Sequence, residues 1–119
     1  MARPLALLVG PGNARIEERL GAAFEVLHAE DAPAMEAVLA DPPPVEVIAT
    51  LWQWPLDAAV FDALPGLKAI SNFGVGYDAI DAAEAARRGI LVSHTPDVLN
   101  EEVVDTTLML WLAVSRELV

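Results

Sequence analysis

The strongest constraint on this chain is its alternation of short, continuous apolar runs with segments of helical period. A strand buried on both faces reads as an unbroken apolar run, and such strands belong to parallel sheets covered by crossover helices. Leu5 to Val9 is one such run, closed by Gly10-Pro11-Gly12. Asn13 can cap a helix in which Ile16, Leu20 and Ala23 share a face. Phe24 to Leu27 reads as a second strand, followed by a helix capped by Asp31 with Met35, Val38 and Leu39 inward. Asp41-Pro42-Pro43-Pro44 ends that helix, because proline removes donors and restricts the residue before it. Val45 to Ala49 is the third strand, Leu56 to Leu64 the third helix and Leu67 to Ser71 the fourth strand. Asp78 is expected to cap a helix through Arg88, with Gly89 as its C′ residue. Ile90 to Ser93 makes a fifth strand. Asn100 to about Leu118 is a long helix with Glu101, Glu102 and Asp105 near its positive end.

Strands alternating with helices imply parallel pairing and right-handed crossovers. The expected fold is α/β: a flavodoxin-like three-layer domain with a five-stranded parallel sheet in the order 2-1-3-4-5, plus the long C-terminal helix. No internal repeat, low-complexity tract or flexible linker interrupts it. A chain of 119 residues buries roughly two thirds of its unfolded area, enough for a real core. With 55% hydrophobic and 21% charged residues, disorder of the whole chain is excluded.

Composition also removes several functions. Without cysteine there is no disulfide scaffold, thiolate zinc site or cysteine nucleophile. The net charge of -11 leaves no cationic footprint for nucleic acid or for an anionic membrane. The longest apolar stretch, Leu108 to Val114, falls far short of the ~20 residues a spanning helix needs. Met1 to Leu5 leads straight into a strand without a signal-peptide pattern, so a soluble cytoplasmic protein is expected.

The last helix does not fit a complete small domain. Val103, Val104, Leu108, Met109, Leu110, Trp111, Leu112 and Val114 cover nearly its whole circumference. A helix apolar all round must be buried all round. Either a second copy of the chain or a continuation of it is expected to cover the far side.

Gly74-Val75-Gly76-Tyr77-Asp78-Ala79 matches the G-x-G-x-x-G/A pattern between a strand and a helix, and Asp97 stands where a ribose-binding acid would sit. That pattern belongs on the first strand of a nucleotide-binding unit, and here one strand remains after it. A second reading keeps the bare backbone N–H groups and gives them a small carboxylate. A third is a plain tight turn needing positive φ.

The other polar candidates weigh less. His28 and His94 stand at strand ends, where histidine is usually a hydrogen-bonded structural residue. Complementation of the helix dipole explains Asp97, Glu101, Glu102 and Asp105 without a metal. Trp52 and Trp54 either wall a ligand cleft or pack on the third helix. A phosphoacceptor receiver would need acids where Gly10-Pro11-Gly12 and Thr50-Leu51-Trp52 stand. A flavodoxin would need a hydroxyl-rich loop where Gly10-Pro11-Gly12-Asn13-Ala14-Arg15 stands.

Three blocks in order carry a resemblance: Ile70 to Asp81, Arg88 to Val92, and His94 to Asp105. Together they resemble the D-2-hydroxyacid dehydrogenases, in the glyoxylate/hydroxypyruvate and hydroxyphenylpyruvate reductase branch. The likeness is sharp over residues 67–118 and general, through strand–helix order, over residues 1–66. It implies that residues 1–99 form the amino-terminal part of a substrate-binding domain that is split in sequence by a cofactor domain. Residues 100–119 would be the helix that crosses into the cofactor domain and contributes to a dimer interface.

The resemblance also assigns roles. Backbone N–H groups of the Gly74-Val75-Gly76 turn would hold the substrate carboxylate, with Leu51 and Trp52 lying over the same cleft. Asn100 takes the place of a threonine that approaches the nicotinamide cofactor, NAD or NADP; asparagine can still hydrogen-bond and cap. The family's glycine fingerprint, catalytic arginine, supporting acid and histidine lie downstream of Val119, so no catalytic residue is assigned here. His94 stands where the family has the asparagine of an Asn-Thr-Pro motif, and Arg87 and Arg88 end a helix. The expected function is the substrate-binding part of an NAD(P)-dependent reductase of 2-oxo acids, inactive as residues 1–119 alone. The alternatives are a free-standing small-carboxylate-binding module that dimerises through residues 103–118, and a truncation without function.

Overall fold

The computed structural model describes residues 2–51 and 54–118. In chain order these form β1 (Leu5–Val9), α1 (Ala14–Ala23), β2 (Glu25–Ala29), α2 (Ala32–Ala40), β3 (Val45–Thr50), α3 (Ala58–Ala63), β4 (Ala69–Asn72), α4 (Ala82–Arg87), β5 (Leu91–Ser93) and α5 (Asn100–Ser115). The strands make one five-stranded sheet, ordered β2-β1-β3-β4-β5, with every pairing parallel. The expected α/β architecture and strand order are therefore the observed ones.

Short polar side chains start the helices as the sequence implies. Asn13 Oδ1 accepts from the amides of Arg15 (3.1 Å) and Ile16 (3.3 Å), and Asp31 Oδ1 from Ala34 (2.9 Å). Each satisfies backbone donors that a helix start leaves unpaired. Two helices start later than expected. Asp57 caps α3 through Ala59 and Val60, because Leu56 is drawn into a bridge with Ile80. The same bridge holds Ile80 extended, so Asp81 rather than Asp78 caps α4, accepting from Glu84 N at 2.9 Å. Gly89 follows the last turn with φ +74°, the left-handed step expected of it.

Other boundaries move by a residue or two for local reasons. Phe24 donates to Leu20 O and closes α1, so β2 starts at Glu25. Leu67 donates to Leu64 O in a turn, which delays β4 to Ala69. Leu118 donates back to Ala113 O and Glu117 has φ 52°, so α5 closes at Ser115.

The two faces of the sheet are unequal. On one, the register aligns Leu27, Leu7, Ile48, Ile70 and Val92 across all five strands. This apolar row packs with Met35 of α2, Val60, Phe61 and Leu64 from α3 and its end, and Ala85 of α4. On the other face the neighbouring row runs His28, Leu8, Ala49, Ser71, Ser93, turning polar toward β5. Leu8 is fully buried there, whereas Ser71 and Ser93 are exposed and Leu91 is 75% exposed. Ile16 and Leu20 of α1 are half-buried, and Ala23, expected on the same face, is exposed.

Beyond α4, Arg88 Nε donates to Glu84 Oε1 (2.6 Å) and Nη1 to Asp62 Oδ1 (2.7 Å), with the guanidinium 5.7 Å over the Phe61 ring. The hydrogen bonds to Glu84 and then Asp62 raise its pKa and hold it charged. It is a tie between α3 and α4.

The last helix is uncovered. No residue of α5 is buried, and Leu108, Met109, Trp111 and Val114 are all exposed. The described chain measures 61 × 31 × 26 Å with a radius of gyration of 17.6 Å. A compact domain of this length would have about 13–14 Å. The excess is α5 standing off the sheet. No helix among the described residues is long and apolar enough to cross a membrane.

Candidate functional site

The carboxyl ends of β3 and β4 open onto a cleft of about 280 Å³, walled by Leu51, Asn72 and the segment from Phe73 to Ile80. Such crevices, outside the carboxyl ends of strands, are where open α/β sheets bind ligands. The structure thus places Leu51, Gly74, Val75 and Gly76 around one cleft. Trp52 lies outside the described residues. Trp54 is half-buried and packs against the core rather than lining the cleft.

The carbonyls of the glycine turn are all engaged. Asn72 Nδ2 donates to Gly74 O (3.2 Å) and to Gly76 O (2.8 Å). Thr95 N donates to Gly74 O at 3.0 Å, and His94 Nδ1 to Val75 O at 2.8 Å. A carbonyl can only accept, so His94 carries a proton on Nδ1. The imidazole also stands edge-on to Tyr77, with ring centroids 4.8 Å apart. Among the described residues, the amides of Gly74, Val75 and Gly76 donate to nothing. One side of the turn is tied down and the other presents bare N–H groups.

The glycines themselves are not needed by the backbone. Positive φ among glycines occurs at Gly10 and Gly89, not at Gly74 or Gly76, which overturns the reading of a tight turn that requires it. A Cβ on Gly74 would come no nearer than 3.5 Å to Asn72 Nδ2, and one on Gly76 would lie 3.4 Å from Asp78 Oδ2. These are ordinary contacts. Neither conformation nor internal packing accounts for the two missing side chains.

The turn does not run directly into a helix. Because α4 begins at Ala82, the segment lacks the strand–turn–helix geometry by which a dinucleotide fingerprint seats a pyrophosphate. Asp97, the imagined ribose acid, has φ 61° and accepts from Asn100 Nδ2 at 2.9 Å. The N-cap of α5 is Leu99, so Asn100 is the first helical residue and not the cap. Asn100 lies apart from the glycine turn, beside Asp97, Glu101 and Glu102.

The remaining sequence candidates fall into place. His28 shares a hydrogen bond of 2.8 Å with Gly10 O and ties β2 to the loop after β1. Glu101 and Glu102 occupy the first turn of α5, beside its positive end. Among the described residues no group of three or more His, Asp or Glu converges on a metal position. Arg87 and Arg88 both pair with Glu84, away from the cleft. The sequence reading missed Asn72 and Thr95 as supports of the turn. An asparagine two residues before a glycine turn was the available sign.

Residues 7–117 match the D-isomer specific 2-hydroxyacid dehydrogenase, catalytic domain, family. The chain belongs to that family. A glyoxylate reductase of Thermococcus kodakarensis is 45% identical over 75 residues, covering 63% of this chain and 22% of the relative. One from Korarchaeum cryptofilum is 34% identical over 108 residues, covering 91% and 32%. Among solved structures, the NADPH-dependent glyoxylate/hydroxypyruvate reductase of Sinorhizobium meliloti, in complex with NADP and malonate, aligns with a TM-score of 0.75 and 41% identity. That match covers 94% of this chain and 34% of the other. The holo D-mandelate dehydrogenase of Rhodotorula graminis aligns at 0.78 and 25% identity, covering 96% and 37%. The chain therefore spans between 22% and 37% of the length of these relatives.

Proposed function

We propose that residues 1–99 anchor the carboxylate of a 2-oxo acid in an NAD(P)-dependent reductase that forms D-2-hydroxy acids, of the glyoxylate/hydroxypyruvate kind. The observation that carries this reading is the turn at Gly74-Val75-Gly76. Its carbonyls are tied back, its amides are unbonded among the described residues, and its glycines answer to no demand of φ or packing. Bare consecutive amides suit an anion, and missing side chains let a ligand approach the backbone closely. Leu51 donates its own amide to Val9 O, so its share in the pocket is its side chain. Trp52, outside the described residues, is proposed to shape the pocket together with Leu51.

In the parent reaction a nicotinamide nucleotide supplies the hydride. This part of the chain fixes the substrate so that its carbonyl is held in one orientation, which is the entropic share of catalysis. Asn100 is proposed to approach the cofactor through Oδ1, since its Nδ2 is engaged by Asp97. Residues 1–119 alone are proposed to be inactive, and α5 to be the surface through which two copies associate. The exposed apolar side chains around that helix favour association, because soluble monomers rarely leave so large an apolar surface open.

The test is kinetic. The native polypeptide carrying these residues is expected to oxidise NADPH or NADH in the presence of glyoxylate or hydroxypyruvate, and oxalate is expected to compete. Absence of both turnover and oxalate binding would sink the reading.

A further inference from the structure

We infer that His94 is a positioning residue for the substrate carboxylate, acting through the peptide unit between Val75 and Gly76. The inference rests on the carboxylate-anchoring reading of the glycine turn. It follows from the planarity of the peptide group. In a trans unit the C=O of one residue and the N–H of the next point in opposite directions, so a clamp on the carbonyl also aims the following amide.

Each carbonyl of the turn can thus be assigned the amide it controls. Gly74 O sets the Val75 N–H and is held twice, by Asn72 Nδ2 and Thr95 N. Gly76 O sets the Tyr77 N–H and is held by Asn72. Val75 O sets the Gly76 N–H, and among the described residues its partner is His94 Nδ1. Losing Asn72 leaves Thr95 on the first unit. Losing His94 leaves the second without a partner among the described residues. With glycine on one side of that unit, the peptide is free to rotate and carry its N–H out of the cleft.

What His94 must supply is a donor at a defined reach. Nδ1 stands two bonds from Cβ, as Asn Nδ2 does, whereas Gln Nε2 stands three bonds away. Phenylalanine keeps a ring beside Tyr77 and supplies no donor.

The experiment uses the native polypeptide with H94N, H94Q and H94F, measuring KM for glyoxylate, KM for NADPH and oxalate affinity by calorimetry. H94F and H94Q are expected to raise the glyoxylate KM and weaken oxalate by about tenfold, the scale of one hydrogen bond to a charged group. The NADPH KM is expected to stay put, and H94N to restore glyoxylate and oxalate to within about twofold. Unchanged glyoxylate KM in H94F, or equal impairment of H94N and H94Q, would overturn the role of His94 while leaving the carboxylate reading intact. If H94F does not fold, the H94N–H94Q pair decides alone. Wild-type protein that neither reduces glyoxylate nor binds oxalate overturns both.

Discussion

Leu56 and Ile80 face each other across a single parallel bridge, with Leu56 N donating to Ala79 O at 2.8 Å and Asp81 N to Leu56 O at 3.0 Å. Leu56 is fully buried and Ile80 nearly so, in the same core cluster as Val60 and Phe61. The loop after β3 and the loop after β4 are the two walls of the cleft, and this bridge ties them together. Leu56→Ala is expected to destabilise the fold by about 2–5 kcal/mol, the usual cost of emptying a buried leucine site. Denaturant unfolding checks the number. A loss well below that range would mean the loops are braced elsewhere.

Gly76→Ala separates folding from binding. Its φ is not positive and a new Cβ meets only ordinary contacts, so the unfolded chain loses more freedom than the folded one. Stability is expected to rise by about 0.4–1 kcal/mol. Oxalate affinity is expected to fall by about tenfold, because in the proposed site the added methyl would stand where the carboxylate approaches the backbone. Chemical denaturation and calorimetry on one preparation read both quantities.

Gly89→Ala should behave in the opposite way. With φ +74° the residue occupies the left-handed region, and a Cβ there costs about 1–2 kcal/mol. No neighbour would touch that Cβ, so the cost is conformational and not steric. Gly89→Asn, tolerated in that region, is expected to lose less than Gly89→Ala in the same thermal melts.

On α5, Leu108→Glu with Trp111→Glu places charge on an exposed apolar surface that makes no contact within the described chain's core. The native polypeptide is expected to shift toward monomer in equilibrium sedimentation, with its sheet unaffected by circular dichroism. An unchanged association state would remove α5 from the interface. Residues 1–119 prepared alone are expected to show no turnover of glyoxylate with either nucleotide.

Much of this was legible from the residues because it was local. Apolar runs marked β1 and β3, and Asn13 and Asp31 capped the helices they were expected to cap. Alternation alone implied parallel pairing, and the observed order followed. Failures came where a distant partner decided the local structure. Asp78 looked like a cap, but Leu56, far back in the chain, holds the backbone extended until Asp81. The turn was visible as a glycine pattern, yet what fixes it is Asn72 from one strand end and His94 and Thr95 from the next. No periodicity records such cross-links.

The geometry of β5 has a consequence for ligand affinity. That strand is three residues long, sits at the edge of the sheet, and carries exposed Leu91 and Ser93. It is the cheapest place for the sheet to open locally. His94 and Thr95 follow it directly, so an opening of β5 that carries them away frees the Val75–Gly76 unit, while Asn72 still holds the Gly74–Val75 unit. Anything bound to the turn shifts that equilibrium toward closure by mass action. If the turn holds the proposed carboxylate, ligand affinity and the hydrogen exchange of the β5 amides are two readings of one free energy.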